Sequence, residues 1–526
     1  VDASGHRLRL FGTNVTGDSC FPDEDVAPRL AQRLRQYGFN CLRLHFMDFS
    51  WGGTSRDSLW DDPTAGKLSE RNLAKLDRLI AECAANGIYV NLNLHVGREY
   101  PGQPKVADSR AFRYSKNLDR WHEPFISQME RFCHDLLNHV NPHTGRRYAD
   151  EPAIACVEIN NENTMIRDDL ADLRRLPEPL VEALTRKWTT WLRERYGTTA
   201  ALGRAWNADV VPLGDEQLTS RDVWIVQNAG GAASTLQKEE RRLTWTATAR
   251  GSASWNLQLQ YRGLELPPGR YTLTFRARSP DSKRVEINVM LNAAPWGNVG
   301  LSDTIALAPE WKTFTLSGPI KAATGRGPLR LNISLRNETG HVEFEDVSLR
   351  PGGGEGLPAG DSLEGGVGLP GTTAVATVKL DWTRFLIDTE MATTQRIVRL
   401  LKDEIGCKMP VADTQVSYGG VAGVFREATL CDYVDIHGYW EHPHYTRNER
   451  GWVTSFRIPN TSQVAAKDGG TLSRIGVYRI AERPFSVSEY NTPAPNDHGA
   501  ELFPLVAAVA SLQDWDAFYS YTYRDF

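Results

Sequence analysis

Val157-Glu158-Ile159-Asn160-Asn161-Glu162-Asn163 reads as the end of a β-strand running out into a loop. The run before Glu162 is short and apolar, and loop formers follow it. Pro484-Phe485-Ser486-Val487-Ser488-Glu489-Tyr490 repeats that design far downstream. In an eight-stranded α/β barrel the C-terminal ends of the strands supply the active site. Two carboxylates placed this way are therefore expected to face each other across one barrel mouth.

The surrounding chain fits that expectation. Strands are predicted at 8–13, 40–45, 88–95 and 152–160. Between them lie helical stripes: Leu30, Leu34 and Tyr37; then Leu73, Leu76, Ile80 and Cys83, capped by Ser69 and closed by Gly87; then Leu118, Trp121, Phe125, Met129, Phe132 and Leu136. Strand-helix alternation argues for parallel β covered by helices. From 223 to 349 the helical period vanishes and two-residue alternation takes over. Tyr271, Leu273, Phe275 and Ala277 are one such set; Val285, Ile287, Val289 and Leu291 another; Leu329, Leu331, Ile333 and Leu335 a third. One buried and one wet face per strand describes an antiparallel sandwich.

A Gly/Pro-rich stretch follows, and then a long helix at 382–405 ended by Gly406. Four more strands are predicted at 410–415, 433–439, 484–489 and 515–523. Four and four make eight. The expected architecture is a (β/α)8 TIM barrel carrying an inserted antiparallel β-sandwich. Its parts are 1–222 (barrel, first half), 223–350 (insert), 351–371 (linker) and 372–526 (barrel, second half).

A chain of 526 residues exceeds one ordinary core. A net charge of −5 leaves no electrostatic footprint for nucleic acid or an anionic membrane surface. The longest apolar stretch, 502–512, is too short to span a bilayer, which needs roughly 18–20 residues. Seven cysteines without a C-x-x-C spacing read as buried thiols rather than a disulfide framework or zinc site. The chain begins at Val1 without a signal segment and is read as a mature or trimmed form.

Two carboxylates across one mouth suit hydrolysis of a glycosidic bond, with the carboxyls about 5–5.5 Å apart if configuration is retained. An Asn before the acid/base can hydrogen-bond the sugar 2-hydroxyl, and an Arg and a Tyr near a nucleophilic carboxylate would keep it ionised and oriented. The acid/base partner needs surroundings that push its pKa up. Arg43 and His45 end the second strand, His95 the third, and His437 and Tyr439 the sixth, with Trp440 opening the loop after it; Tyr523 lies at the end of the eighth.

In order, G-F-N-C-L-R-L-H, the strand ending at His95, N-E, H-G-Y and S-E-Y resemble the signatures of clan A retaining glycoside hydrolases. The likeness is nearest to the cellulase-type enzymes of glycoside hydrolase family 5. It implies Glu162 as acid/base, Glu489 as nucleophile, support from Arg43, Asn161 and Tyr439, and a sugar subsite lined by His95 and His437. The clan's strand-eight Trp is replaced by the neighbourhood of Tyr521 and Tyr523, and no eighth helix follows before Phe526. The stretch 188–206, read as one helix, also resembles family 42 β-galactosidases, which leaves the sugar open.

The insert (W-N-L-Q-L, P-G-R-Y-T-L-T-F-R-A-R, E-W-K-T-F-T, V-E-F-E-D-V-S-L) resembles family 4/9 carbohydrate-binding modules. Trp255 and Trp296 are its candidate sugar platforms, with a core position the alternative for each. The resemblances imply a carbohydrate substrate, a secreted or periplasmic location and no catalytic cofactor, and they leave room for a structural calcium in the insert. Competing readings are a transglycosylase of the same fold, a non-catalytic glycan-binding protein, and a metal-dependent barrel hydrolase using His45, His95 and His437. Substrate choice is expected to rest on loops 48–66, 97–113 and 440–468, with Trp51, Trp60, Tyr100, Tyr445 and Trp452.

Overall fold

A computed structural model describes the chain except residues 1–4, 50–57, 63–65, 99, 101, 105, 107–115, 167–172, 174–175, 323–326, 448–452 and 525–526. Trp51 and Trp452 lie outside the described residues. The chain forms two compact units, Val1–Leu184 with Arg384–Phe526, and Thr185–Thr383.

The first unit is a TIM barrel. Its strands are β1 (Leu10–Thr16), β2 (Cys41–His45), β3 (Tyr89–Asn93), β4 (Ile154–Glu158), β5 (Val411–Ala412), β6 (Val434–Tyr439), β7 (Phe485–Asn491) and β8 (Ala517–Arg524). They pair in parallel in the order β5-β4-β3-β2-β1-β8-β7-β6. A parallel bridge from Gln415 to Asp435 joins the two ends and closes the barrel. Among the described residues the α-helices are α1 (Val26–Gln36), α2 (Glu70–Ala85), α3 (Glu123–Leu137), α4 (Glu178–Tyr196), α5 (Thr199–Asn207), α6 (Ala376–Arg399), α7 (Val421–Leu430), α8 (Gly470–Gly476) and α9 (Leu502–Leu512).

Period-two patterning explains both faces of the barrel wall. Leu42, Leu44, Val90, Leu92 and Val157 sit in an apolar shell with Leu76, Ile80, Met129 and Phe132 of α2 and α3. The alternate residues Arg43, His45, Asn91, Asn93 and Glu158 are fully buried on the other face, in the barrel lumen. Ser69 caps α2 by accepting from Asn72 N–H (3.4 Å), and Gly87 behind that helix takes φ 70°. The stripe expected from Leu118 onward is interrupted. Leu118–Arg120 is a 3-10 turn, and α3 starts at Glu123 with Pro124 in its first turn, where a missing N–H costs nothing. The expected helix over 188–206 is likewise two helices, because Gly197 turns left-handed (φ 72°) between α4 and α5. Below α6 the chain winds into a π-helical turn, Leu400–Ile405, before Gly406 ends it (φ 79°).

The second unit holds a ten-stranded antiparallel sheet running from Trp224–Asn228 to Gly340–Pro351. The three alternating sets seen in the sequence all enter its core, around Leu273, Phe275, Ile287, Val289, Leu331 and Ile333. The unit extends beyond 223–350. Trp191 and Trp206 stack on Trp188 with ring centres 5.5 and 6.0 Å away, and Trp382 meets it edge-on at 5.2 Å.

Residues 351–371, expected as a linker, are packed instead. Leu363 and Val367 are buried, and Gly353 bridges Val211. Gly353 has φ 87°, and a Cβ there would meet the Thr272 hydroxyl at 2.0 Å. Gly352, Gly353, Gly354 and Gly356 thus mark close packing rather than freedom. All seven cysteines are buried free thiols, and among the described residues no helix is long and apolar enough to cross a membrane.

Candidate active site

The lumen converges on Arg43. Its guanidinium donates to both oxygens of Glu158 (Nε to Oε1 2.9 Å, Nη2 to Oε2 2.6 Å), to Glu489 Oε1 (Nη1, 2.8 Å), and to Asn14 and Asn161 (3.0 Å each). Glu158 is further satisfied by Asn91 (2.6 Å) and Asn93 (3.1 Å). A buried charge persists only when paired and hydrogen-bonded, and this cluster meets both conditions.

Glu489 is held from three sides. Besides Arg43, the Tyr439 hydroxyl donates to Oε2 at 2.5 Å, and His45 Nε2 and His437 Nε2 each lie 3.5 Å from Oε1. A bulge brings this about. The β6–β7 ladder pairs Ile436 with Val487 but His437 with Glu489. One extra residue in β7 lets Ser488 and Glu489 both reach lumen partners, which a regular strand forbids.

Glu162 sits at the mouth on a left-handed backbone (φ 49°), its side chain 34% exposed. That conformation is uncommon for a non-glycine residue and persists where neighbours over-determine it. They do so here. Asn161 N–H donates to His95 O (2.8 Å), Glu162 N–H to Gln415 Oε1 (2.6 Å), Asn163 N–H to Thr414 Oγ1 (3.2 Å), and Met165 N–H to Glu390 (2.6 Å). Arg120 and Arg426, both anchored on Asp413, underlie the loop.

The Glu162 carboxylate meets His437 Nδ1 at 2.9 Å, and one oxygen each of Glu162 and Glu489 lies within 4.8 Å of the other. The two glutamates expected to face each other do so. Burial alone would raise the Glu162 carboxyl. The hydrogen bond and charge of His437, then Lys116 and Tyr418, outweigh it and hold the carboxyl down at about 2. The sequence expectation was a raised value, and the difference is His437. Burial pulls that imidazole down, yet the Glu489 charge and the Glu162 hydrogen bond carry it above its ordinary 6.5. A pair of this kind holds one proton between two groups rather than on the carboxyl alone. His45 stays well below 6.5, through burial and then the charge of Arg43.

Arg43, His45, Asn161, His437 and Tyr439 therefore converge on the pair; the remaining expected residues do not. His95 is buried beside Tyr100, whose hydroxyl is 2.9 Å from Nε2, and its contribution to the Glu162 loop is its backbone carbonyl. The proposed metal set of His45, His95 and His437 is not assembled, since His95 turns toward Tyr100, Asp48 and Asp119. Trp440 points its indole N–H at Thr461 O (3.0 Å) and fastens the loop after β6. Tyr523 turns outward to a groove with Asp18, Phe21 and Arg29. The Tyr that reaches the site is Tyr521, edge-on to His45 (5.9 Å) and to Tyr439 (6.0 Å). The register between β1 and β8 shifts beyond Thr13, which carries the last residues of β8 off the lumen face.

Sequence reading passed over Glu158, Asn91, Asn93, Gln415, Asp435 and Ser488. Most had a visible signal: polar residues at every second position of an apolar strand, as in Tyr89-Val90-Asn91-Leu92-Asn93. In a closed parallel barrel such residues line the lumen.

A closed barrel with two carboxylates held across its C-terminal mouth is an arrangement that glycoside hydrolases use. Residues 1–170 match the family model of cellulases (glycosyl hydrolase family 5). No curated protein matches the chain in sequence. Among solved structures, the endo-1,4-β-mannanase from Rhizomucor miehei is 10% identical, with 98% of this chain and 87% of that one covered and a TM-score of 0.42. An endo-1,4-β-D-mannanase from Thermotoga petrophila is also 10% identical, with 98% and 88% covered and a TM-score of 0.40. The N-terminal cellulose-binding domain of Cellulomonas fimi β-1,4-glucanase C is 21% identical over 27% of this chain and 96% of its own, with a TM-score of 0.22.

Proposed function

We propose that the protein is a retaining β-glycoside hydrolase acting on a β-linked oligo- or polysaccharide. Glu489 attacks the acetal carbon to form a glycosyl ester, while Glu162 protonates the leaving oxygen and then takes a proton from the incoming water. The carrying observation is the approach of the two carboxylates to within 4.8 Å. So close an approach favours the about 5–5.5 Å separation of retaining pairs over the roughly 6.5–9.5 Å of inverting ones. The partners support the division of labour. Arg43 and Tyr439 donate hydrogen bonds that orient Glu489 for attack, whereas Glu162 faces an imidazole able to lend it a proton. With Asn161 Oδ1 taken by Arg43, its amide Nδ2 is the end turned to a sugar hydroxyl.

The sandwich supports a carbohydrate chain as substrate. Trp255 and Trp296 are exposed (64% and 52%), not core. Trp296 carries the Arg330 guanidinium over its ring at 5.1 Å, and the Trp255 carbonyl accepts from Gln227 and Gln258. The Trp296 ring and the Trp255 backbone thus border a polar sheet face that holds Gln258, Gln260, Asn288, Arg330 and Asn332. Flat apolar rings beside amides suit the faces and hydroxyls of sugars.

The test is a panel of aryl β-glycosides and polysaccharides, followed by Glu489→Gln. Turnover should vanish in that variant, and in the unsubstituted protein a 2-deoxy-2-fluoro glycoside should leave its sugar on Glu489 by peptide mass mapping. Undiminished activity in Glu489→Gln removes it as nucleophile. Loss of activity on adding a chelator would move the reading to metal-assisted hydrolysis, since Glu162, His437 and Glu489 also lie close enough to ligate one ion.

A further inference from the structure

A closed ring of hydrogen bonds runs through the acid/base and three side chains the mechanism above does not use. Starting from the Glu162 backbone, N–H donates to Gln415 Oε1 (2.6 Å), and Gln415 Nε2 donates to Asp435 Oδ2 (2.9 Å). Asp435 Oδ2 also accepts from the Ser488 hydroxyl (2.5 Å), and its Oδ1 accepts from Ser488 N–H (3.0 Å). Ser488 Oγ is 2.9 Å from His437 Nε2, and His437 Nδ1 is 2.9 Å from Glu162 Oε1. Asp435, Ser488 and Gln415 are all fully buried.

Counting hydrogens around the ring fixes the imidazole. The orientation of Gln415 is set by the backbone N–H it accepts, so its amide hydrogen goes to Asp435. Asp435 then faces donors only, and the single Ser488 hydrogen goes to it. Ser488 Oγ is left with lone pairs toward His437, so Nε2 carries a hydrogen and donates. One hydrogen remains between Nδ1 and Glu162, either on a charged imidazole or on a neutral carboxylic acid.

We propose that Asp435 and Ser488, oriented by Gln415, are positioning residues for acid catalysis: they hold His437 with Nε2 protonated so that it stores the proton Glu162 delivers to the leaving oxygen. This rests on the reading of Glu162 as acid/base. In the glycosylation step the hydrogen passes from His437 Nδ1 to Glu162 and on to the glycosidic oxygen as the C–O bond breaks and Glu489 forms the ester. His437 becomes neutral while keeping its Nε2 hydrogen. In the second step Glu162 takes a proton from water, the water oxygen displaces Glu489, and the proton returns to the pair. Glu489 at 3.5 Å, Asp435 at 3.8 Å, Glu162, Arg43 and His45 are the charged or titratable groups facing that imidazole.

The direction of the Ser488 hydroxyl is the point of control. Asp435→Asn leaves one acceptor oxygen for the three donors that Gln415, Ser488 N–H and the Ser488 hydroxyl present, so the ring no longer holds the serine hydrogen and it is free to turn to His437 Nε2. The ring nitrogen facing Glu162 would then hold a hydrogen that a neutral imidazole does not give up, and Glu162 would have nothing to deliver. Ser488→Ala removes the link outright.

The experiment measures kcat/KM for 2,4-dinitrophenyl and phenyl β-glycosides of one sugar, chosen from the glucose, mannose and galactose series by turnover. Dinitrophenolate leaves without protonation and phenolate needs it. Both variants should lose about ten- to hundredfold on the phenyl substrate, a large part of what a general acid contributes. On the dinitrophenyl substrate they should stay within about threefold of the parent, since no acid is needed there. An equal fall on both substrates, or no change on either, overturns the proposal. Glu162→Ala separates the two levels of inference. If it too shows no leaving-group discrimination, the acid/base reading fails; if it discriminates while Ser488→Ala and Asp435→Asn do not, the ring alone is wrong.

Discussion

Replacing Arg43 by Met tests the lumen most directly, because the side chains are of similar length and only the charge and donors are lost. Arg43 is fully buried, as is Glu158, and Glu489 is nearly so. The substitution deletes the paired donation to Glu158 and the bonds to Glu489, Asn14 and Asn161. Glu158 keeps Asn91 and Asn93, and Glu489 keeps Tyr439, so neither is wholly abandoned. Stripping one partner from a buried ion pair costs about 3–5 kcal/mol, and the surviving neutral bonds place the expectation toward about 3 kcal/mol. The assay is urea unfolding followed by tryptophan fluorescence, run as a cycle with Glu158→Gln. Removing the stranded charge should recover about 1–3 kcal/mol in the double variant, the usual coupling of groups in direct contact. A loss below about 1 kcal/mol in Arg43→Met, or strict additivity in the double variant, would refute the view that this arginine neutralises two carboxylates at once.

Tyr439→Phe removes the 2.5 Å bond to Glu489 Oε2 and should lower kcat/KM on aryl glycosides about ten- to hundredfold, the worth of a hydrogen bond to a charged group; steady-state kinetics decide it. With Glu162 held at about 2 and His437 above 6.5, the pair carries its single deliverable proton between those limits. A pH profile on phenyl glycosides should therefore fall on its basic limb above pH 6.5. The stability that charged His437 contributes follows the same sign, being full below 6.5 and lost as pH rises through its raised value. A basic limb at or below pH 6.5 would contradict the pairing. Trp255→Ala and Trp296→Ala should each weaken retention on insoluble polysaccharide about two- to tenfold while leaving turnover of a soluble aryl glycoside unchanged; pull-down and kinetics together check this.

The strands Cys41–His45, Tyr89–Asn93 and Ile154–Glu158, each separated from the next by a helical stripe, were enough to announce a parallel barrel, because strands joined in series by helices pack side by side beneath them. Two-residue alternation without a helical period marked 223–349 as a sandwich. Local spacing also placed Glu162 and Glu489 at strand ends. Which groups meet was another matter. The bulge that sends Ser488 and Glu489 to lumen partners is one residue of mismatch between β6 and β7, and no pattern within either strand encodes it. Tyr521 rather than Tyr523 reaches His45 for a like reason, a register shift between β1 and β8. The lowered Glu162 carboxyl follows from an imidazole 275 positions away, brought to 2.9 Å by closure of the barrel. Periodicity is a property of neighbours along the chain and survives in the sequence. Register, closure and charge pairing belong to residues distant along it, and only the folded chain decides them.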